Sequence, residues 1–288
     1  MDFDLVVFDE ASQITVPEAI GALGRAKAAI VVGDSKQMPP TKVIAGGSGA
    51  DEELDDDAEE IIEDQESILS ECELARVPTV SLAWHYRSQD EALIAFSNSA
   101  YYRGALSSFP TPTLMSDATG IEFRRVDGRY LRAGSTAVDL GEGISAGSNT
   151  NPVEAQAIVA AVHELARRAD SPPSLGIVTF NEQQRQLISD LLMMSEDPAV
   201  VAILDENRMG AADVLFVKAL EQVQGDERDT IIFSIAFSKQ ANGRIPTNFG
   251  PLSNGGGERR LNVAVTRARR KNVVFCSFDP AELDVAGA

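Results

Sequence analysis

Short apolar runs separated by polar turns recur along the whole chain. Leu5-Val6-Val7-Phe8 and Ala28-Ala29-Ile30-Val31-Val32 are continuous, the pattern of strands buried on both faces of a parallel sheet. Between them Pro17 suits the first turn of a helix that Gly21 and Gly24 then weaken. Later runs predict strands at Thr79–Leu82, Ile121–Val126, Leu175–Val178, Val214–Val217, Thr230–Ile235 and Asn272–Cys276. Helical spacing predicts a short helix through Ile68, Leu69 and Leu74, and longer ones at Gln89–Tyr101, Pro152–Arg168, Glu182–Met193 and Glu258–Ala268. In the helix from Pro152, the predicted apolar side carries Val153, Ala157, Ala160, Ala161 and Leu165. No internal repeat is visible. Repeated strand–helix units argue an α/β fold, a mostly parallel sheet covered by helices on both faces.

Composition narrows the picture. A chain of 288 residues, 44% hydrophobic and 24% charged, has the balance of a globular protein with one large or two modest domains, which excludes disorder throughout. No apolar run approaches a membrane span, and Asp2 and Asp4 follow Met1 at once, so the chain shows no basic targeting segment. Cys72 and Cys276 are far apart without metal-ligand spacing, which argues against a disulfide scaffold or zinc site and predicts a reducing, cytoplasmic setting. The net charge of −19 at first opposes nucleic-acid binding. Residues 51–66, however, hold eleven acids and no base, while from Val201 onward acids and bases balance at eleven each. A local basic site can therefore coexist with the acidic total. Gly46-Gly47-Ser48-Gly49 and the acidic run predict a solvated linker, in which Leu54, Ala58, Ile61 and Ile62 fit one helical face.

The polar residues that close the strands carry the candidate chemistry. Asp9-Glu10 and Asp34 with Gln37 follow the first two strands, and ligands of open α/β sheets sit at carboxyl strand ends. Phosphoryl transfer needs an acid to hold Mg²⁺ and a carboxylate to orient the attacking water, and a strand-end pair supplies both. The segments read, in order, Phe8-Asp9-Glu10-Ala11-Ser12-Gln13, Val31-Val32-Gly33-Asp34-Ser35-Lys36-Gln37-Met38-Pro39-Pro40, and Trp84-His85-Tyr86-Arg87-Ser88. They continue with Thr179-Phe180-Asn181-Glu182-Gln183-Gln184, Gln224-Gly225-Asp226-Glu227-Arg228-Asp229, and Leu261-Asn262-Val263-Ala264-Val265-Thr266-Arg267-Ala268.

In this order the six segments resemble the motifs of superfamily 1 helicases, the UvrD/Rep-related AAA-type ATP-dependent enzymes. FDEASQI, VVGDSKQMPPT and AWHYRSQDE carry a finer likeness to large bacterial helicase-like proteins with DUF4011 and DUF3320 segments. Met38 replaces the usual Leu, Phe180-Asn181 the usual Pro-Tyr, and Ala219 stands where relatives carry a strand-contacting Thr. The resemblance implies a RecA-like P-loop NTPase fold: the C-terminal remnant of a first lobe over 1–45, an acidic linker and short helix over 46–78, a complete second lobe over 79–280, and a tail. It implies ATP and Mg²⁺, held between two lobes. Glu10 would position water, Gln37 would sense the γ-phosphate, and Arg87 and Arg267 would be arginine fingers. Asp9 would hold the metal, and Asp34, Gln224, Gly225 and Glu227 would line the nucleotide. Pro39, Pro40, Thr179 and Gln184 would face single-stranded nucleic acid, DNA in preference to RNA. His85 is read as structural. No GxxxxGKS/T occurs, although the family carries this P-loop upstream of the DEAS segment. The chain is accordingly expected to be a motor fragment whose partner is the missing N-terminal lobe, inactive alone. The alternative expectation is a nucleotide-gated switch or defence-type NTPase that uses the fold without unwinding.

Overall fold

In the computed structural model, the described residues are 2–44, 61–64, 67–111, 118–168, 174–208, 214–240 and 242–283. The predicted Gly46–Gly49 linker and the helical positions Leu54 and Ala58 lie outside them. The chain divides into two compact units, Met1–Leu82 and Ala83–Ala288.

The first unit opens with β1 (Val6–Phe8), α1 (Val16–Leu23) and β2 (Ala29–Val31). The two strands pair in parallel, Val6 opposite Ala29 and Phe8 opposite Val31. Thr15 precedes α1 and donates through its backbone N–H and its hydroxyl to the Glu18 carboxylate, which ties off the helix start. β3 (Thr41–Ile44) pairs antiparallel with β4 (Ile61–Asp64), so Ile61 and Ile62 belong to a strand and not to the predicted helical face. α2 (Ile68–Leu74) is capped by Ser67, whose hydroxyl accepts from the Ser70 N–H. Phe8, Ala11, Ala19 and Ile68 form the buried cluster of this unit, with Leu69 and Cys72 packed against it. Expected in the linker, α2 is thus part of the first unit's core. The opposite face of β1 and β2 is open: Val7 is 55% and Ile30 49% exposed. The two-faced burial predicted for these strands is corrected, because a two-stranded sheet with its helices on one side covers only that side.

Thr79–Leu82 is not a strand. Val80 and Leu82 are 88% and 81% exposed, since no neighbouring strand among the described residues offers this segment a hydrogen-bonding edge.

The second unit runs β5 (Trp84–His85), α3 (Ala92–Ala100), β6 (Ser107–Ser108), β7 (Gly120–Arg125), β8 (Val138–Gly141), β9 (Ile144–Ala146) and α4 (Pro152–Arg168). It continues with β10 (Leu175–Thr179), α5 (Glu182–Met193), α6 (Pro198–Arg208), β11 (Leu215–Ala219), β12 (Arg228–Ser238), α7 (Gly257–Val265) and β13 (Ala268–Ser277). Five strands form one wholly parallel sheet in the order β11-β10-β12-β13-β7. Every residue of β10 is buried, as a central strand of such a sheet requires. Ile158 and Val162 of α4, Ile188 and Leu192 of α5, and Ile203 of α6 pack with Ile177, Ile232, Val273 and Phe275 of the sheet. α3 lies against β7, β13 and α7.

The apolar side of α4 is turned from the predicted one. Ala155, Ile158, Ala161, Val162 and Ala166 are buried, whereas Val153 is 44% exposed. The buried face carries Ile158 and Val162, larger apolar side chains than the alanines of the predicted side, and with them the fully buried Glu154.

Gly257, the first residue of α7, admits no side chain. A Cβ there would lie 1.9 Å from the Leu252 carbonyl oxygen, a backbone atom that no rotamer change can move. Gly257→Ala is expected to destabilise the second unit by roughly 1–3 kcal/mol, as overpacking does, read as a lower urea midpoint.

Candidate nucleotide site

In the first unit the parallel register brings both predicted acidic turns to one edge, because Phe8 and Val31 end their strands side by side. Val32 donates its N–H to the Phe8 carbonyl and accepts from Ala11 N–H, locking the two turns together. Asp9 Oδ1 accepts from the Glu10 N–H at 2.9 Å, and its Oδ2 has no partner among the described residues. Glu10 sits in the left-handed region at φ 49°, a strain of about 1–3 kcal/mol for a residue with a Cβ. That conformation starts the short 3-10 turn Ala11–Gln13. Asp34 accepts from the Lys36 N–H through Oδ1 and from Gln37 Nε2 through Oδ2 at 3.1 Å. Asp34 and Gln37 are thereby one hydrogen-bonded unit. Pro40 is buried and Pro39 half-buried, next to buried Met38, so this proline pair supports the turn from within.

In the second unit the decisive cluster lies at the amino ends of β12 and β13. Arg87 Nε reaches Glu227 Oε2 at 2.7 Å, and Arg269 approaches Glu227 Oε1 at 3.5 Å. Arg269 also pairs with Asp229 at 2.8 Å and donates to Ser174 Oγ at 3.2 Å. The Arg87 hydrogen bond holds Glu227 below the usual carboxylate range; burial opposes it, and the charges of Arg87, Arg269 and Arg267 reinforce it. Arg267 is 2% exposed. Its Nε donates to the Val263 carbonyl at 2.8 Å and its terminal nitrogens approach the Asp226 carbonyl and Thr266 Oγ1. Gly225 sits at φ +85°, where a Cβ is strained, and leaves its surroundings open. Beside it, Gln224 Nε2 is enclosed without an acceptor among the described residues. His85 Nε2 accepts from the Ser88 N–H, and burial, then Arg87 and Arg267, holds the ring below its ordinary pKa. The ring shapes the turn that carries Arg87.

Thr179 and Gln184 stand at the carboxyl end of β10, and both are fully buried. Thr179 Oγ1 donates to the Asn181 carbonyl. Gln184 Oε1 accepts from Asn151 N–H, and its Nε2 donates to Ser234 Oγ and the Asn151 carbonyl. The polar atoms of these two side chains all find partners inside the unit. The same network holds Glu154, whose Oε1 accepts from Ser234 Oγ and Ala236 N–H at 2.7 Å each, and whose Oε2 accepts from Ser277 Oγ at 3.1 Å. Burial dominates and raises Glu154 to about 7, against the hydrogen bonds that favour its charge.

A family model described as AAA domain matches residues 65–279, and a second of the same description matches residues 1–44. The chain belongs to the AAA domain family. An uncharacterized ATP-dependent helicase of Mycoplasma pneumoniae, the MG140 homolog, is 35% identical to this AAA-domain chain over 277 residues, 95% of the chain and 23% of the relative. The human DNA replication ATP-dependent helicase/nuclease DNA2 is 25% identical over 295 residues, covering 95% of the chain and 24% of itself. The mouse DNA-binding protein SMUBP-2 is 26% identical over 285 residues, covering 95% and 25%. The chain thus spans about a quarter of the length of these relatives, and the shared stretch is the AAA-domain region of superfamily 1 helicases.

Sequence reasoning missed three participants in this AAA domain. Arg269 lay in a visible basic cluster, but nothing in its spacing singled it out as the second cation on Glu227. Ser174 sits far away in the chain. Glu154 reads as a surface acid on an amphipathic helix until its burial is known. Neither unit shows a cluster of three or more metal-ligating side chains among the described residues. Mg²⁺ keeps most of its shell from water and phosphate oxygens and takes one or two carboxylates, so the free Oδ2 of Asp9 fits it. The open, positive-φ Gly225 leaves room for a phosphate or ribose oxygen to approach its backbone.

Glu154 sets a pH dependence. Its folded pKa, about 7, lies above the ordinary 4.5, so its stabilising share is full below pH 4.5 and lost as pH rises to about 7. Relative to the wild type, Glu154→Gln should remove this slope, gaining roughly 2–3 kcal/mol between the ends of that window in urea titrations.

Proposed function

We propose that this chain is the C-terminal motor portion of a superfamily 1 ATP-dependent helicase that couples ATP hydrolysis to movement along single-stranded nucleic acid, DNA in preference to RNA. The observation that carries the reading is the convergence of Arg87 and Arg269 on Glu227, with Arg267 buried beside Asp226 and an open Gly225 next to them. Cations gathered at one strand edge, and oriented by carboxylates, suit developing charge on phosphate oxygens. The first unit contributes Asp9 as the metal ligand, Glu10 to orient and deprotonate the attacking water, and Gln37, held by Asp34, to sense the terminal phosphate. The second contributes Arg87 and Arg267 as transition-state cations, and Gln224, Gly225 and Glu227 along the nucleotide. Bound ATP with Mg²⁺ supplies the electrophilic phosphorus.

Glu227 has a definite task in this reading. It holds the Arg87 guanidinium in an extended, ordered position, which a triphosphate oxygen takes over when the fork swings to it. The exposed apolar residues Val7 and Ile30 fit cover by the segment of the whole protein that carries the phosphate-binding lysine. The FDEASQI and AWHYRSQDE segments favour the large bacterial helicase-like subgroup.

Two outcomes test the proposal. The isolated 288-residue chain should hydrolyse ATP at background rate, since it has no GxxxxGKS/T; single-strand-stimulated phosphate release by it would overturn this. In the whole protein, Arg87→Ala should lower turnover about a thousandfold and leave ATP affinity within a few-fold, with Lys rescuing poorly. Arg87 is the cleaner choice, because Arg267 is enclosed and its removal would also disturb packing. Near-normal turnover in Arg87→Ala would remove that residue from the catalytic set.

A further inference from the structure

The carboxyl end of the second unit's sheet bears a cleft that none of the six motifs contains. It has a volume of about 340 Å³, and it is lined by Arg129, Tyr130, Arg132 and Ser135 after β7, and by Ser238, Lys239, Gln240 and Asn242 at the end of β12 and beyond it. The walls are fastened to each other. Tyr130 N–H donates to Ser238 Oγ at 2.8 Å, and the Tyr130 ring packs on Phe237 at 4.8 Å between centroids. Leu131 bridges to Thr150, and Gln240 N–H donates to the Arg244 carbonyl to close the turn.

Three cations line the cleft: Arg129, Arg132 and Lys239. Lys239 pairs with Glu282 at 2.5 Å. The guanidiniums of Arg129 and Arg132 are exposed and have no carboxylate partner among the described residues. In a chain of net charge −19, Arg129 and Arg132 thus place two unneutralised guanidiniums on one concavity, beside a lysine paired with Glu282.

We propose that this cleft binds the phosphodiester backbone of a nucleic-acid strand. The inference rests on the reading of the protein as a single-strand motor and places the strand at residues other than those the motifs suggested. Guanidinium forks match phosphate oxygens in two-point geometry, and a lysine adds a point charge. Gln240 and Asn242 line the same cleft and offer amide groups to sugar or phosphate oxygens. The Tyr130 ring is engaged with Phe237, so the cleft presents no free stacking platform. Binding is therefore backbone-led, tolerant of base sequence and steeply dependent on salt. Thr179 and Gln184 lie at the same end of the sheet and serve it from inside, through the Ser234–Asn151 network that fixes the end of β12. The cleft is at the opposite end of β12 from the Glu227 cluster, so strand and nucleotide do not compete for one set of cations.

The test measures binding of fluorescein-labelled oligothymidine to the 288-residue chain by anisotropy, over salt from about 50 to 200 mM. The double variant Arg129→Gln/Arg132→Gln breaks no ion pair and should keep the wild-type melting temperature. Its affinity at the lowest salt should fall about tenfold or more, and its log–log salt slope should become shallower by about 1.4, two phosphate contacts on a single strand. Oligoadenosine should show the same loss. Unchanged affinity and slope in the double variant, or no strand binding by the wild type at about 50 mM salt, would overturn the cleft. So would competition by polyglutamate as strong as that by oligothymidine, which would identify an acidic polypeptide as its occupant. A whole protein that lost ATP-driven movement in Arg87→Ala yet bound strands normally would leave the cleft standing, and the reverse pattern would leave the motor standing.

Discussion

A carboxylate sealed inside the second unit is the constraint from which its far end is built. Glu154 at the start of α4 accepts hydrogen bonds from β12 through Ser234 and Ala236, and from β13 through Ser277. Asn151 returns a donor to the Ala236 carbonyl, and Gln184 of α5 joins Asn151 to Ser234. Two helices and two strands are therefore joined by one polar knot in an apolar core. The knot also explains why Ala236 is held at φ +65°, where a residue with a Cβ is strained, and why the β12–β13 register shifts between Ser234 and Ser238. A buried carboxylate with fewer partners would be costly; with three donors it is retained and makes this bulge the preferred geometry. The bulge aims Ser238 at Tyr130 and so sets the cleft wall.

The two ends of the same sheet follow opposite rules. At the amino end of β12, charges are nearly matched: Glu227 and Asp229 face Arg87 and Arg269, and each cation has a place to wait. Such ion pairs at partly exposed positions contribute little to stability, so their value is positional. A guanidinium already oriented loses less freedom when a phosphate takes it than one that moves freely in solvent. At the carboxyl end, Arg129 and Arg132 are left unmatched, which raises the local potential that attracts a polyanion from a distance. A matched cluster favours switching between partners; an unmatched one favours capture.

How legible all this was in the sequence differs by level. The helices Pro152–Arg168 and Glu182–Met193 coincide with their predicted bounds, because a long amphipathic period and clear caps define them locally. Strand existence was legible where apolar runs were flanked by turns, as at Leu175, Thr230 and Asn272, while β12 and β13 extend further than their apolar centres. Thr79–Leu82 failed since a strand exists only with an edge to pair with, which no local pattern encodes. The placement of motif residues was legible where they follow a strand: Asp9, Glu10, Asp34 and Gln37 lie on one edge, and Arg87 and Glu227 meet though 140 residues apart. Side-chain direction was not legible. Gln184 and Glu154 are polar residues at helix starts, and whether such a residue faces solvent or core depends on what the sheet presents opposite it.

That dependence bears on how motif residues should be weighed in this chain. A polar residue kept at a strand end can touch a ligand, or it can hold the backbone that does, and the two roles leave the same trace in sequence. The polar side-chain atoms of Thr179 and Gln184 all find partners within the unit, the arrangement of residues that hold backbone in place. The residues free to meet a strand, Arg129 and Arg132, lie in a Gly-, Ser- and Thr-rich stretch that carries no motif at all. Long-range attraction to phosphate needs charge in roughly the right place and little geometric detail. The transition-state chemistry proposed for Glu10 and Arg87 would tolerate far less displacement. The physical demand thus fixes the form of the record: strict spacing where bonds change, and scattered cations on a well-braced wall where a strand is merely held.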